Sequence, residues 1–401
     1  MAVTYAQGVA RSVPGIRLGT AQAGIKKKDR DDLLIIEADE TAVVAAVFTQ
    51  NAFCAAPVLV AREHLGANPR WLLVNSGNAN AGTGPRGLED ARTTCNALAE
   101  LAGGSAQKVL PFSTGVIGEY LPVEKIEAAL PSALGDLSED HWEQAARAIM
   151  TTDTYPKLAS QVVEVGGYEV TVTGISKGAG MIQPNMATML AFIATDACVE
   201  KSALQVLLTE IADRTFNCVT VDGDTSTNDA CVLMASGKSP QLLPGTPAFD
   251  AFATAVHNVL AQLSEAIVRD GEGATKLIRI RVEGARNREE ARLVGKTIAH
   301  SPLVKTAFFA SDPNWGRILA AVGRAGCDNL VIENVAIWLD DVQIVESGGR
   351  CARYTEEAGA KVMAQSEILI RVFLGRGDAQ ETVLTCDFSY DYVRINAEYR
   401  T

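Results

Sequence analysis

Four histidines in 401 residues leave little room for imidazole chemistry. His141 and His257 fall in helical patterns, and none of the four, His64 and His300 included, sits in a glycine-rich loop. A Ser-His-Asp or Cys-His machine is therefore poorly supported. The eight cysteines (Cys54, Cys95, Cys198, Cys218, Cys231, Cys327, Cys351 and Cys386) are scattered, with no pair at C-x-x-C spacing. That argues against a zinc or redox motif and predicts reduced thiols. G-x-G-x-x-G after a strand and G-x-x-x-x-G-K-[ST] are both missing, so neither a dinucleotide nor a phosphate loop is indicated. There is no long basic block, and the formal net charge is −12, which argues against nucleic acid and an anionic membrane surface as partners. No apolar run approaches the ~18 residues of a membrane span, and no charged-then-apolar leader opens the chain. Neither a span nor a signal peptide is expected, and the expected location is the cytoplasm.

What is present is ordinary for a soluble globular protein: 47% hydrophobic and 21% charged residues, in a chain long enough for two domains or one large one. A core of that size does not need disulfides. Residues 1–30 read as an irregular lead-in ending in Lys26-Lys27-Lys28, a solvated loop. Strands are predicted at 32–37, 42–49, 71–75, 108–112, 216–221 and 277–282. Helices are predicted at 88–101, 141–150, 201–213, 248–269, 289–300, 302–309 and 315–324. Hairpins are predicted for 161–165 with 168–175, for 335–345, and for 367–374 with 381–387. No internal repeat, low-complexity linker or sharp compositional change marks a boundary. The expected fold is α/β, with mixed sheets layered with helices.

Several loops carry hydroxyls, amides or carboxylates, and each allows a plain reading beside a chemical one. Ser76-Gly77-Asn78-Ala79-Asn80-Ala81-Gly82 either lines a site with backbone amides or is a well-turned loop. Ser113-Thr114-Gly115-Val116-Ile117-Gly118, at the end of a strand, either presents donors to an oxyanion or is a turn. Thr151-Thr152-Asp153-Thr154 before Pro156 is explained by a cap or turn. The run 222–229 looks like a calcium loop but lacks its register and closing Glu, so no metal site is expected. Glu272, between two glycines, is either an exposed turn residue or a carboxylate facing an amine.

The segment 176–195, SKGAGMIQPNMATMLAFIAT, is the most unusual. A lysine, glycines and a Pro-Asn turn precede Thr188, and the chain is then apolar and uncharged until Asp196. One reading is a buried strand that begins after a threonine. The other makes Thr188 a nucleophile. Without a histidine base, a hydroxyl can use a free α-amine on its own residue, whose pKa is near ~8. That requires a cut before Thr188: its hydroxyl attacks the Ala187 carbonyl, an ester forms by N-to-O shift, and water releases it.

The motifs NSGNANAGTG (75–84), PFSTGVIGE (111–119), MTTDTYPK (150–157), SKGAGMIQPNMATML (176–190), VDGDTSTNDA (221–230), RDGEGATK (269–276), SDPNWGRILAAVGRAG (311–326) and terminal INAEYRT together resemble the ornithine acetyltransferases of arginine biosynthesis, the ArgJ family, over essentially the whole chain. The resemblance implies a self-cleaving, N-terminal-nucleophile-type architecture. It implies a cut between Ala187 and Thr188 into interwoven fragments 1–187 and 188–401, two pairs of which form a heterotetramer. It implies ping-pong transfer of acetyl from N-acetylornithine through Thr188 to glutamate. Thr114 and Gly115 match the oxyanion-hole positions. Thr152, Lys177, Thr188, Glu272, Asn396 and Thr401 match the substrate contacts, with Thr151 a less favoured alternative to Thr152. Lys177 would meet the substrate α-carboxylate, and Glu272 either the ornithine side-chain ammonium or the Thr188 amine. Cys218 departs from the basic residue expected there. No cofactor is implied, and likeness to the bacterial bifunctional kind adds acetyl-CoA as a second acetyl donor. An amidase or aminopeptidase with water as acceptor is the competing enzyme reading, and a non-catalytic scaffold the third.

Overall fold

The structure is a computed structural model and describes residues 3–4, 8–26, 29–183 and 189–398. Two compact units divide the chain. The larger comprises Ala6–Asn217 and Asp224–Ile267; the smaller comprises Met1–Tyr5, Cys218–Gly223 and Val268–Thr401. The chain passes between them at four points, so there is no single linker for a compositional change to mark.

The larger unit holds β1 (Ile16–Ala21), β2 (Leu33–Ala38), β3 (Val43–Phe48), α1 (Ala56–His64), β4 (Trp71–Asn78), α2 (Gly84–Ala102), β5 (Val109–Val116), α3 (Val123–Gly135), α4 (Trp142–Ala148), β6 (Lys157–Val165), β7 (Tyr168–Lys177), β8 (Leu190–Thr195), α5 (Lys201–Arg214), β9 (Ala230–Ala235) and nearly all of α6 (Pro247–Arg269). Its strands form two mixed sheets, ordered β1-β2-β4-β5 and β3-β9-β8-β7-β6. The side-chain period of two sends alternate residues into different cores. Leu34, Ile36, Leu72, Val74, Leu110 and Phe112 of the first sheet share a buried cluster with Val44, Ala46, Phe192, Ala194, Val232 and Met234 of the second. Phe112 and Phe192 meet edge to face, 5.2 Å apart. Leu33, Ile35, Trp71, Leu73 and Val109 face the other way and pack with Cys95 and Leu98 of α2 and Ile126 and Leu130 of α3. On the far side of the second sheet α6 lies close on β7: a Cβ at Gly174 would come within 3.0 Å of Leu263 Cδ1. The unit is thus layered helix, sheet, sheet, helix. Strands covered on both faces need no polar alternation, which is why β8 and β9 are buried at every position.

The smaller unit contains β10 (Leu277–Ala285), α7 (Arg288–Ala299), α8 (Pro302–Phe309), α9 (Trp315–Gly323), β11 (Ala336–Leu339), β12 (Val342–Glu346), β13 (Gly349–Arg350), α10 (Glu356–Met363), β14 (Glu367–Phe373), β15 (Ala379–Cys386) and α11 (Tyr390–Ala397). Its sheet runs β13-β12-β11-β14-β10-β15. Ile278, Ile280 and Val282 of β10 and Ile368, Ile370 and Val372 of β14 share a core with Val294 and Ile298 of α7 and Ile318 and Val322 of α9.

Three expectations are corrected. The lead-in contains a strand, β1, antiparallel to β2. Residues 216–221 are not a strand but a 3₁₀ turn, Phe216–Cys218, followed by a lone bridge from Val219 to Leu384. The third hairpin does not form: β10 inserts between β14, to which it is parallel, and β15, to which it is antiparallel. That central place pairs the backbone of β10 on both edges, which a buried apolar strand requires. Cys218 is buried, and burial pushes its thiol up to about 12, with Glu381 adding to the effect.

Candidate active site

The carboxyl ends of the parallel strands β4 and β5 form a glycine-built tip. Gly77 stands opposite Gly115, with φ of +102° and +137°. A Cβ on Gly115 would fall 2.2 Å from the Gly77 carbonyl carbon, so the two backbones meet this closely only with glycine at 115. A buried side-chain network fixes the turn. Ser113 Oγ donates to Asn75 Oδ1 (2.6 Å), and Asn75 Nδ2 donates to Asn78 O (2.9 Å). Asn78 Oδ1 accepts from Asn80 N (2.7 Å), and Asn80 Nδ2 donates to Gly87 O (2.9 Å). The two glycine-rich loops met in the sequence are one structure. Thr114, in register with Ser76 and Asn78, is buried beside Gly115.

Asn228 and Asp229 connect this tip to the second sheet. Asn228 Nδ2 donates to Ala79 O (2.5 Å) and Ser113 O (2.9 Å). The next residues lead into β9, where Ala230 N donates to Met189 O (3.0 Å). Leu190, at the head of β8, is in register with Ala230 on one side and Lys177 on the other. Met189 is therefore held next to the strand ends that carry Lys177 and Asp229. Asp229 is buried, and its Oδ2 has no hydrogen-bond partner among the described residues. Burial pushes its carboxyl well above the usual range; hydrogen bonding with Ser226 and the Lys177 charge only partly oppose this.

Beyond Lys177, β7 stops because the Gly178 amide turns to a side chain. Gly178 N donates to Asp153 Oδ1 (2.7 Å), with Gly178 at φ +145°. The same carboxylate accepts from Lys157 Nζ (2.6 Å) and Thr151 N (2.9 Å). Burial alone would raise the Asp153 pKa, but Lys157, Lys177 and the Gly178 amide hold it far below the usual range. Thr152 is half-buried on the bend between Thr151 and Asp153.

Glu272 and Asn396 belong to the smaller unit, and there they meet: Asn396 Nδ2 donates to Glu272 Oε2 (2.8 Å). Glu272 is 7% exposed, so it is not the solvated turn residue of the plain reading. Gly273 follows at φ +71°, where a Cβ would sit 2.5 Å from Tyr392 N. Ser389 caps α11 and donates to Gly273 O (2.6 Å), fastening the helix to the turn. Ala187, Thr188 and Thr401 lie outside the described residues.

Asn228, Asp229, Asp153 and Lys157 are not among the residues singled out as site residues from the sequence. Asp153 and Lys157 carry no sequence signal: four-residue spacing pairs side chains on a helix, and here Lys157 opens β6. Asn228 acts on carbonyls 149 and 115 residues away, which leaves no local trace.

These features define a class: a layered α/β enzyme whose site is built at strand ends from a glycine-lined tip and buried lysines. The ArgJ family profile matches residues 17–401, and the chain belongs to that family. It is 68% identical over 391 residues to the arginine biosynthesis bifunctional protein ArgJ of Methylococcus capsulatus, covering 97% of this chain and 96% of that one. The protein of the same name from Pseudomonas syringae pv. tomato is 56% identical over 392 residues, covering 97% of each. A crystal structure of ornithine acetyltransferase complexed with ornithine, from Mycobacterium tuberculosis, is 35% identical with a TM-score of 0.40, covering 46% of this chain and 98% of that one.

Proposed function

We propose that this chain is a bifunctional acetyltransferase of arginine biosynthesis. It is a glutamate N-acetyltransferase that moves acetyl from N-acetylornithine to glutamate, and it also takes acetyl from acetyl-CoA as a second donor, with no resident cofactor. The observation that carries this reading is a linked set of contacts: Asn228 braces the loops that carry Gly77 and Gly115, Ala230 two residues on donates to Met189 O, and Lys177 is in register with Leu190, so both reach the chain directly after Thr188. It occurs in a chain 68% identical to a protein named for arginine biosynthesis and for two activities.

Thr188 Oγ first attacks the Ala187 carbonyl, and hydrolysis of the resulting ester leaves Thr188 with a free α-amine. That amine accepts the hydroxyl proton when Oγ attacks the acetyl carbonyl of N-acetylornithine. Thr114 and Gly115 donate to the oxyanion, the bond to the ornithine nitrogen breaks, and ornithine leaves. The glutamate amine then attacks acetyl-Thr188 and departs as N-acetylglutamate. Lys177 pairs with the α-carboxylate, and Thr152 and Thr401 contact the substrate. Glu272, braced by Asn396, faces either the ornithine side-chain ammonium or the Thr188 amine. Fragments 1–187 and 188–401 remain together, two of each, in the cytoplasm.

A denaturing gel with N-terminal sequencing tests the cut. Two fragments are expected from the wild type, the second beginning at Thr188, and a single full-length band from Thr188→Ala. A wild-type chain that transfers acetyl without splitting contradicts the mechanism. Product analysis tests the acceptor: N-acetylglutamate should appear in step with ornithine, whereas free acetate alone would identify a hydrolase.

A further inference from the structure

Three chain segments converge on the carboxylate of Asp153. Thr151 N reaches Oδ2, while Gly178 N and Lys157 Nζ reach Oδ1. Both partners of the Asp153–Lys157 ion pair are wholly buried, with side-chain exposure of 0%. Removing two ions from water can cost more than their attraction returns, so stability alone is a weak reason for such a pair. What the pair does hold is geometry. Gly178 directly follows Lys177, and Thr151 directly precedes Thr152. Lys157 is in register with Ser176, the residue before Lys177. Its ammonium also stands 5.1 Å over the Tyr155 ring, and the Tyr155 hydroxyl donates to Ala266 O (3.1 Å) of α6. The carboxylate is thereby anchored to a helix that packs on β7.

We propose that Asp153, held by Lys157, is a positioning residue that sets the Lys177 ammonium and the Thr151–Thr152 bend together, and so confers selectivity for substrates bearing an α-carboxylate. Asp153 acts through Lys177 and the bend; it does not touch the reacting atoms. This rests on the reading above that Lys177 meets the substrate carboxylate. A second conclusion concerns substrate class: an acylated amine without that carboxylate gains nothing from the arrangement and loses little when it is disturbed.

The test compares N-acetylornithine with its decarboxylated analogue, N-acetyl-1,4-diaminobutane, as acetyl donors to glutamate. The readout is the ratio of their kcat/KM values. The wild type should favour the carboxylated donor strongly. In Asp153→Asn the ratio should fall about tenfold or more, the loss of some 1.4 kcal/mol of discrimination, mainly through KM for N-acetylornithine. Asp153→Asn strands a buried lysine and can fail to fold. The double variant Asp153→Asn/Lys157→Met removes both charges, a change that buried pairs tolerate, and should show the same fall. If both donors lose activity in parallel and the ratio holds in the double variant, the pair is structural and the proposal is overturned. If the wild type itself does not distinguish the donors, the Lys177 reading fails as well.

Discussion

Asn228 shows how much of this site depends on single side chains reaching across sequence. Its amide group joins two loops, at Ala79 O and Ser113 O, and its Oδ1 accepts from Thr227 Oγ1 (2.6 Å). Asn228→Ala leaves two buried carbonyls without that donor. The expected loss of stability is about 2–4 kcal/mol, read as a lowered urea midpoint with unchanged m-value. Acetyl transfer should fall further than stability explains, because the tip that carries Thr114 and Gly115 loses its brace. The acidic run around Asn228 has only a superficial likeness to a calcium loop, without its register or closing Glu. The residues in use are instead Asn228 and Asp229 at its end, chosen by partners that no local pattern reveals. Lys177 was legible as a lone lysine beside glycines; what holds the backbone beside it, Asp153, was not.

At the scale of elements, periodicity did well where it had length to work on. α6, α7 and α8 lie where apolar spacing placed them, within a residue or so at their ends. β1 escaped although Pro14-Gly15 marks a turn just before it: its six residues, IRLGTA, are short, include Gly19 and do not alternate. The missing third hairpin has a different cause: strand pairing is not a local property, and β10 competes for the edges of both β14 and β15. The C-terminal end of α7 carries its own pH dependence. His300 follows it, half-buried, with Nε2 lacking a partner among the described residues. Burial pushes its pKa down to about 4 from 6.5, helped by the positive charges of Lys296, Lys305 and Arg324. The native state therefore keeps His300 neutral while the unfolded chain takes up a proton below pH 6.5. Stability from this group is full above that pH and drains away as pH falls toward 4. The effect is about 3 kcal/mol at most. His300→Gln should flatten the stability curve between pH 6.5 and 4, measured by urea unfolding at each pH.

For the whole molecule the consequence of interest is how a cut at Thr188 would leave the chain. β8, which begins at Leu190, sits inside a five-stranded sheet, between β9 and β7. β7 and β6 come from before the cut, as does β3 on the far side of β9. Separating residues 1–187 from 188–401 would therefore break two sets of ladder hydrogen bonds and open the buried cluster that Phe192, Val232 and Leu72 share. A tag on the N-terminal fragment should retain the C-terminal fragment through native purification and release it only in denaturant. Release by salt alone would show that the fragments are not held by this sheet.

The sequence by itself determined the class of element at most positions, the glycine-built loops, and the family, through motifs spread from residue 75 to the C-terminus. It could do so because side-chain period, turn chemistry and short motifs are local. Tertiary structure decided which loops meet: within the larger unit Gly77 against Gly115, Asn228 on the carbonyls of Ala79 and Ser113, and Asp153 between Thr151 and Gly178; within the smaller unit Glu272 against Asn396. Those contacts are set by strand order and register, and strand order follows from which buried edges and faces can be satisfied together, a condition met only by the folded chain.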